Sequence, residues 1–173
     1  CSVRRQRQMC IRDSIRTHDI ATLGLWGPKA VNALGNFIDP NEIDIQNFPF
    51  VTAKNLTLNL SGGKKVDVWA ARISYVGESG WEIYFNNNKD DGLALYDSLL
   101  EVGVVPVGIE TYANSRRLEK SFRLQGADLE TEYTAIEAAI QRPLVKEADF
   151  HGKAAHLSHR EEDPCAILCT MTG

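Results

Sequence analysis

Arg72-Ile-Ser-Tyr-Val-Gly-Glu-Ser-Gly-Trp-Glu-Ile-Tyr84 is the segment that best indicates the architecture of this 173-residue chain. It contains the end of one strand-like run, residues 66–75, and most of a second, residues 81–85. Gly77 and Gly80 lie between the two runs. Two such runs joined by a glycine-bearing turn are typical of a β-hairpin.

The second run of this hairpin has two different faces, because successive side chains of a strand point in opposite directions. Trp81, Ile83 and Phe85 form an apolar wall on one face, and Glu82 and Tyr84 lie on the other. A desolvated carboxylate without a partner is costly. Glu82 therefore lies either on a solvated face or in a pocket that offers hydrogen-bond donors, and the alternation leaves both alternatives open.

The segments around the hairpin carry apolar residues at both strand and helix spacing. Strands are predicted at residues 19–26 and 52–60, with a hairpin turn at residues 61–65. Helical spacing is found at residues 28–37, from Leu93 to Gly103, and at residues 108–122. Strands and helices in this mixed order predict an α+β fold, with a mostly antiparallel sheet covered by packed helices on one side.

The composition limits the classes of partner. The chain has 43% hydrophobic and 24% charged residues, which is typical of a globular domain with a packed core. Its net charge of −4 argues against nucleic acid as the main partner, and no apolar run approaches the length that would cross a membrane. Four cysteines without a CxxC pair indicate a reducing compartment such as the cytoplasm.

The segment Tyr75-Val-Gly-Glu-Ser-Gly-Trp-Glu82 resembles the Y-x-G-E-x-G-[YWF]-E signature of the aminomethyltransferase (glycine-cleavage T-protein) superfamily. The wider chain resembles one branch, the folate domains fused to flavin-dependent dimethylglycine and sarcosine oxidases or dehydrogenases. Four further segments carry that likeness: Leu25-Trp-Gly-Pro-Lys-Ala30, Phe48-Pro-Phe-Val-Thr-Ala-Lys54, Arg117-Leu-Glu-Lys120 and Ala148-Asp-Phe-His-Gly-Lys153.

The resemblance implies a T-protein-like folate-binding domain that passes a one-carbon unit to tetrahydrofolate. In that branch a flavin domain oxidises a small methylated amine, so FAD is expected only in a part upstream of this chain. The family's catalytic Asp would precede the first residue here, so we name no catalytic residue and expect this fragment alone to be inactive. The same fold serves tetrahydrofolate-dependent demethylases and non-catalytic folate-binding proteins of iron–sulfur cluster assembly. The parent protein would be cytoplasmic, or in the mitochondrial matrix of a eukaryote.

The resemblance also suggests three ligand-binding residues. Glu82 matches the Glu that accepts two hydrogens from the pteridine of the folate, a bidentate arrangement that gives orientation as well as affinity. Tyr75 matches a Tyr that lines the folate pocket. Arg117 either meets a carboxylate of the folate or pairs with an acid of the protein. The other arginines near these motifs, Arg72, Arg116 and Arg123, are expected to be solvated or paired.

The domain organisation is predicted from changes in composition. Residues 1–14 are basic and lack an apolar core, so they are interpreted as a leader foreign to the domain, although a nucleic-acid-binding arm or a transit peptide would also be basic. Residues 15–143 form the folate-binding domain. Residues 144–173 are a linker followed by the first part of a truncated C-terminal β-barrel, whose first strand is placed at residues 165–172.

Three histidines near the C-terminus, His151, His156 and His159, raise the question of a metal site. His156 and His159 are three residues apart and would share a helix face. A third ligand at a suitable spacing is missing from the sequence, so a surface cluster is the favoured interpretation and we assign no metal.

Overall fold

A computed structural model describes residues 18–140 and 145–171 of the chain. The described residues form two compact units. Unit 1 contains residues 18–74 and Glu78–Pro106, and unit 2 contains Tyr75–Gly77, 107–140 and 145–171.

Unit 1 is built on a four-stranded sheet. The strands are β1 (Ile20–Trp26), β2 (Ala53–Asn59), β3 (Lys65–Ala71) and β4 (Gly80–Asn86). Their order in the sheet is β1-β4-β3-β2, and every neighbouring pair is antiparallel. Together with the helices described below, this sheet confirms the predicted α+β class and its antiparallel character.

Three α-helices accompany the sheet in unit 1: α1 (Ala30–Leu34), α2 (Pro40–Ile43) and α3 (Lys89–Glu101). Asp39 caps the start of α2, because its carboxylate accepts the backbone N–H of Asn41 at 2.9 Å. A proline at the first helical position costs no hydrogen bond, which suits Pro40 to this place.

The core of unit 1 lies between the helices and one face of the sheet. Trp81, Ile83 and Phe85 of β4 are all buried there, as the alternation predicts. They belong to one cluster with Leu34 of α1 and Leu95 of α3. Because the helices use this face, Glu82 and Tyr84 are directed to the opposite face of the same strand.

Unit 2 contains a helix within residues 108–122, as the sequence predicts, but the helix is shorter than predicted. A π-helical segment, Thr111–Arg116, continues directly into α4 (Arg117–Glu119). The last helix, α5 (Lys153–Glu161), lies in the region that the sequence analysis assigns to a linker.

The predicted first strand of a β-barrel is not confirmed. Residues 165–171 pair with no other strand among the described residues. Instead, the N–H of Leu168 donates to the carbonyl of Glu137 at 2.7 Å, and the Arg123 guanidinium donates to the Leu168 carbonyl at 2.8 Å. The segment is thus bonded to the rest of unit 2. The predicted leader, residues 1–14, and the predicted domain boundary at residue 143 both lie outside the described residues.

Candidate binding site

Glu82 lies near the start of β4 and is partly exposed. Its Cα partners are Gly24 in β1 and Ala71 in β3. Directly opposed residues of antiparallel strands share a face of the sheet. We call this side of the sheet, which carries Gly24, Trp26, Trp69, Ala71, Glu82 and Tyr84, the Glu82 face. The two cross-strand neighbours of Glu82 have almost no side chain, so neither covers its carboxylate.

Tyr84 is the next residue of β4 on the Glu82 face. Its hydroxyl donates a hydrogen bond to Oε2 of Glu82. Its ring packs against that of Trp69, its Cα partner in β3, with the ring centroids 5.0 Å apart and the planes tilted by 55°. A tilted pair at this separation is a favourable aromatic arrangement. The carboxylate is therefore tied to an aromatic pair on the neighbouring strands.

Trp26 lies on the other side of Glu82. Its indole Nε1 donates to the carbonyl of Ile73 at 3.0 Å, and its six-membered ring lies over Gly24. Gly24 therefore leaves room for an aromatic ring beside the Glu82 strand.

A cavity of about 1110 Å³ adjoins Tyr84 and Trp69. Its lining contains two carboxylates, Glu42 and Asp67, and none of the described residues that line it is Lys, Arg or His. Asp67 accepts a hydrogen bond of 2.6 Å from the hydroxyl of Thr57. The cavity combines aromatic surface with hydrogen-bond acceptors.

Tyr75 belongs to unit 2 and is partly exposed. Its hydroxyl donates to the backbone carbonyl of Arg123 at 2.7 Å. Its ring is nearly parallel to that of Phe122, at 21° and 5.9 Å, and tilted against that of Tyr112 at 5.5 Å. The ring is thus held in one orientation by three contacts within unit 2.

Arg117 is buried in unit 2 and forms an ion pair with Asp128. Its guanidinium also donates to the carbonyls of Ala113, at 2.6 Å, and Phe122, at 3.0 Å. Of the two alternatives that the sequence leaves open, the structure therefore contains the pairing with an acid of the protein. A contact between Arg117 and a folate carboxylate stays a prediction.

Asp128 is the acid of this pair, and its pKa lies below the ordinary value. The largest cause is the backbone N–H of Leu124, which donates to the carboxylate at 2.9 Å, and the Arg117 and Arg123 charges lower the pKa further. Its partial burial acts in the opposite direction but is outweighed. The ionised form of Asp128 is thus stabilised where it meets Arg117.

Arg72 is buried in unit 1, which the sequence did not indicate. Its guanidinium donates to the carbonyls of Ile43 at 3.0 Å and Phe48 at 2.8 Å, and it lies 5.0 Å from the ring centroid of Trp81. Burial lowers the pKa of Arg72, and the nearby Asp44 charge partly offsets this. Arg72 thus ties the α2 region to the core behind the Glu82 face.

The described part of the chain offers neither a cluster of metal ligands nor a membrane span. No group of three or more His, Cys, Asp or Glu side chains within it is placed to hold a metal ion. Nor does this part of the chain have a helix with the length and apolar character needed to cross a membrane.

Residues 3–147 match the family model of the GCVT N-terminal domain. The chain belongs to the aminomethyltransferase (GCVT) family. The sequence resemblance to this superfamily is thereby confirmed. The match begins inside residues 1–14, the segment interpreted as a foreign leader, so that interpretation stays a prediction without support from the match.

Three relatives of this GCVT-family chain represent two kinds of enzyme, a dimethylglycine dehydrogenase and two aminomethyltransferases. It is 36% identical over 145 residues to mitochondrial dimethylglycine dehydrogenase of Homo sapiens, a match that covers 80% of this chain and 16% of that protein. It is 32% identical over 152 residues to the aminomethyltransferase of Geobacillus sp. (strain WCH70), covering 84% of this chain and 39% of that protein. The aminomethyltransferase of Staphylococcus carnosus (strain TM300) is 33% identical over 148 residues, 80% of this chain and 36% of that protein. The chain therefore spans well under half the length of these relatives.

Sequence reasoning identified Glu82 and the face it shares with Tyr84, but not the bond between them. The i, i+2 spacing of two polar side chains on one strand was the available signal. The contribution of Trp69 depends on the register of β3 against β4, which the sequence does not specify.

Proposed function

We propose that this chain binds tetrahydrofolate as the aminomethyltransferase-like part of a flavin-dependent N-methyl-amine oxidase or dehydrogenase of the dimethylglycine and sarcosine type. The whole protein would take a small methylated amine and pass its one-carbon unit to tetrahydrofolate. The match to dimethylglycine dehydrogenase and the family membership support this proposal. We assign no residue of this chain to the flavin. We place the whole protein in the cytoplasm, or in the mitochondrial matrix of a eukaryote.

The single observation that carries the proposal is the environment of Glu82. Its carboxylate is partly exposed on the Glu82 face, between Gly24 and Ala71. A flat heterocycle with adjacent N–H donors needs an ionised acceptor that it can reach. The partial exposure of Glu82 meets this need, and the Trp26 indole over Gly24 supplies an aromatic ring beside the carboxylate. The residues present therefore fit a reduced pteridine.

Each of the three candidate residues has a distinct proposed role. Glu82 would accept two hydrogens from the pteridine and so fix its orientation as well as its affinity. Tyr75 would offer its ring to the folate, because its hydroxyl is already bonded to the carbonyl of Arg123. Arg117 stays a candidate for a folate carboxylate, although its charge is paired with Asp128 in this structure.

Bound tetrahydrofolate would supply an amine that accepts the one-carbon unit. The residues of the chain contribute by binding and orienting this acceptor, because a fixed acceptor near the electrophile replaces an encounter by diffusion. No catalytic residue is proposed in this chain.

Titration of the full chain with 5-formyltetrahydrofolate, a reduced folate, tests the proposal by calorimetry. Glu82→Gln keeps the size of the side chain but removes its charge and one acceptor oxygen. We expect its affinity to fall by roughly tenfold to hundredfold, the range for hydrogen bonds to a charged group. Glu101→Gln, which changes an exposed Glu at the end of α3, is the matched control and should bind as the wild type does.

Two results would contradict the proposal. One is a wild-type chain that shows no saturable heat of binding while its thermal unfolding shows that it is folded. The other is a Glu82→Gln variant that binds as tightly as the Glu101→Gln variant. The second result would remove Glu82 from the site even if the folate binds.

A second candidate, the aminomethyltransferase reaction itself, is favoured by the matches to the bacterial proteins of that name. The coding sequence upstream of Cys1 distinguishes the two. A dinucleotide-binding G-x-G-x-x-G after a strand supports the flavin-dependent enzyme. An encoded protein without that motif argues for the aminomethyltransferase, a tetrahydrofolate-dependent demethylase or a non-catalytic folate-binding protein of iron–sulfur cluster assembly.

A further inference from the structure

We infer that Tyr84 is a positioning residue for Glu82, holding its carboxylate in place for the ligand. The inference rests on the proposed folate function of Glu82. Its basis is the hydrogen bond from the Tyr84 hydroxyl to Oε2 of Glu82, between side chains two residues apart on the same face of β4.

A bond to one oxygen leaves the carboxylate able to bind a ligand. An ionised carboxylate has two oxygens and about four lone-pair sites, and it accepts hydrogen bonds only. The Tyr84 hydroxyl occupies one of these sites on Oε2. Oε1 and a second site on Oε2 can still accept a pair of N–H donors.

The bond matters because the Glu side chain has three rotatable bonds and the two Cα partners of Glu82 do not restrain it. Gly24 and Ala71, its Cα partners, are too small to hold the carboxylate by packing. Ordering a side chain of this kind on binding costs conformational entropy, and a side chain that is already ordered avoids that cost. Tyr84 therefore supplies a restraint that these two Cα partners do not.

Tyr84 is itself restrained. Its ring packs on that of Trp69, with the ring centroids 5.0 Å apart. The two residues are directly opposed on the hydrogen-bonded strands β4 and β3. Trp69 is 47% exposed, so one side of the pair remains open to the cavity of about 1110 Å³ that both residues line. The hydroxyl that orients Glu82 thus belongs to a ring whose place is set by the sheet.

A double-mutant cycle in the full chain tests this inference, with 5-formyltetrahydrofolate as the probe. Tyr84→Phe keeps the ring against Trp69 and removes only the hydroxyl. We expect it to weaken binding by about tenfold in the wild-type background and by less than about twofold in a Glu82→Gln background. Tyr96→Phe, which changes a partly exposed Tyr on α3, is the matched control and should leave the affinity unchanged.

Three outcomes of the cycle would overturn the inference. If Glu82→Gln weakens binding and Tyr84→Phe does not, the inference fails and the folate function stands. If Tyr84→Phe weakens binding equally in both backgrounds, Tyr84 acts on the ligand independently of Glu82. If Glu82→Gln leaves binding unchanged, the proposed role of Glu82 fails, and the positioning role fails with it.

A ligand-free measurement separates positioning from a general loss of structure. The ¹³C resonance of the Glu82 side-chain carboxyl carbon, assigned through its loss in Glu82→Gln, is recorded in each variant. Tyr84→Phe should move this resonance and leave the other Glu carboxyl resonances in place, whereas Tyr96→Phe should move none of them. A Glu82 resonance that does not respond to Tyr84→Phe would overturn the inference, because the bond would then be absent in solution.

Discussion

The indole of Trp26 lies over the α-carbon of Gly24, with ring atom Cη2 only 1.9 Å from the point that a Cβ at this position would occupy. Two other atoms of the six-membered ring are within 2.7 Å of that point. A side chain at position 24 and the indole in its present place are therefore mutually exclusive. Because Gly24 is the Cα partner of Glu82, this relationship also determines what stands beside the candidate carboxylate.

The change Gly24→Ala is predicted to displace the Trp26 indole and to break its bond to the Ile73 carbonyl. Overpacking of this kind costs about 1–3 kcal/mol of the free energy of unfolding. Urea unfolding followed by tryptophan fluorescence measures this cost. Gly108→Ala is the control, because no atom beyond its own two chain neighbours lies within 4 Å of the point that its new Cβ would occupy. Equal stability of the two variants would contradict the packing argument.

The change Arg72→Met is predicted to destabilise unit 1 strongly. The methionine fills part of the volume, but the carbonyls of Ile43 and Phe48 lose their buried donor. Each unpaired buried group costs about 1–3 kcal/mol, so we expect a loss of about 2–5 kcal/mol in the free energy of unfolding. Chemical denaturation gives the value directly.

Arg116→Met is the matched control for Arg72→Met. The side chain of Arg116 is 44% exposed, and its ion pair with Glu119 lies at the surface. Exposed pairs of this kind contribute about 0–1 kcal/mol. A loss in Arg72→Met no larger than that in Arg116→Met would show that the buried hydrogen bonds of Arg72 do not stabilise the fold.

The strand that carries Glu82 was predictable from sequence because its information is local, whereas the strand before it ends at Ala71 and not at Tyr75 as predicted. Strict alternation at residues 81–85 places Trp81 in the core and Glu82 on the opposite face, and the structure confirms both positions. The register between strands carries no such local signal. For this reason only the structure reveals that Tyr84 is paired with Trp69 and Glu82 with Gly24.

Burial was harder to predict than secondary structure. The residues that indicate α3 in the sequence, Leu93, Tyr96 and Leu100, are all at least 38% exposed, whereas Leu95 and Leu99 face the core. The periodicity identified the helix but not which of its faces packs on the sheet. β1 is rich in apolar residues, yet it is at the edge of the sheet and only Leu25 of it is buried.

Two changes at Tyr75 separate its hydroxyl from its ring. Tyr75→Phe removes the bond to the Arg123 carbonyl and should lower the free energy of unfolding by about 1 kcal/mol. If the ring alone faces the folate, Tyr75→Phe should change the affinity for 5-formyltetrahydrofolate by less than about twofold, and Tyr75→Ala should lower it by roughly tenfold. Unfolding and calorimetric titration of both variants check these values.

The control for these changes is Tyr133→Phe, in the same unit, where the side chain is 50% exposed. It should match the wild type in both measurements. A Tyr75→Ala variant that is folded and binds the reduced folate as tightly as Tyr133→Phe would exclude Tyr75 from the pocket.

The ion pair of Arg117 and Asp128 is predicted to make the stability of unit 2 depend on pH in the acidic range. The pKa of Asp128 is lowered in the folded chain, first by the Leu124 N–H and further by Arg117. A carboxyl group with a lowered folded pKa contributes stability above its unfolded pKa of about 3.9, and this contribution is lost as the pH falls through the folded value. Below about pH 4 the free energy of unfolding of Asp128→Asn should therefore fall less steeply than that of the wild type.

At neutral pH the same variant leaves the Arg117 guanidinium, whose side chain is only 6% exposed, without its counter-charge. Breaking a buried pair costs about 3–5 kcal/mol, and because the Asp128 side chain is 22% exposed we expect a smaller loss, about 2–3 kcal/mol. Urea unfolding of the wild type and Asp128→Asn from pH 7 to pH 2 measures both effects, with Glu119→Gln of the exposed pair as control. If the free energies of unfolding of the wild type and Asp128→Asn changed with pH in the same way, the ion pair would not form in solution. Arg117 would then be available to a folate carboxylate.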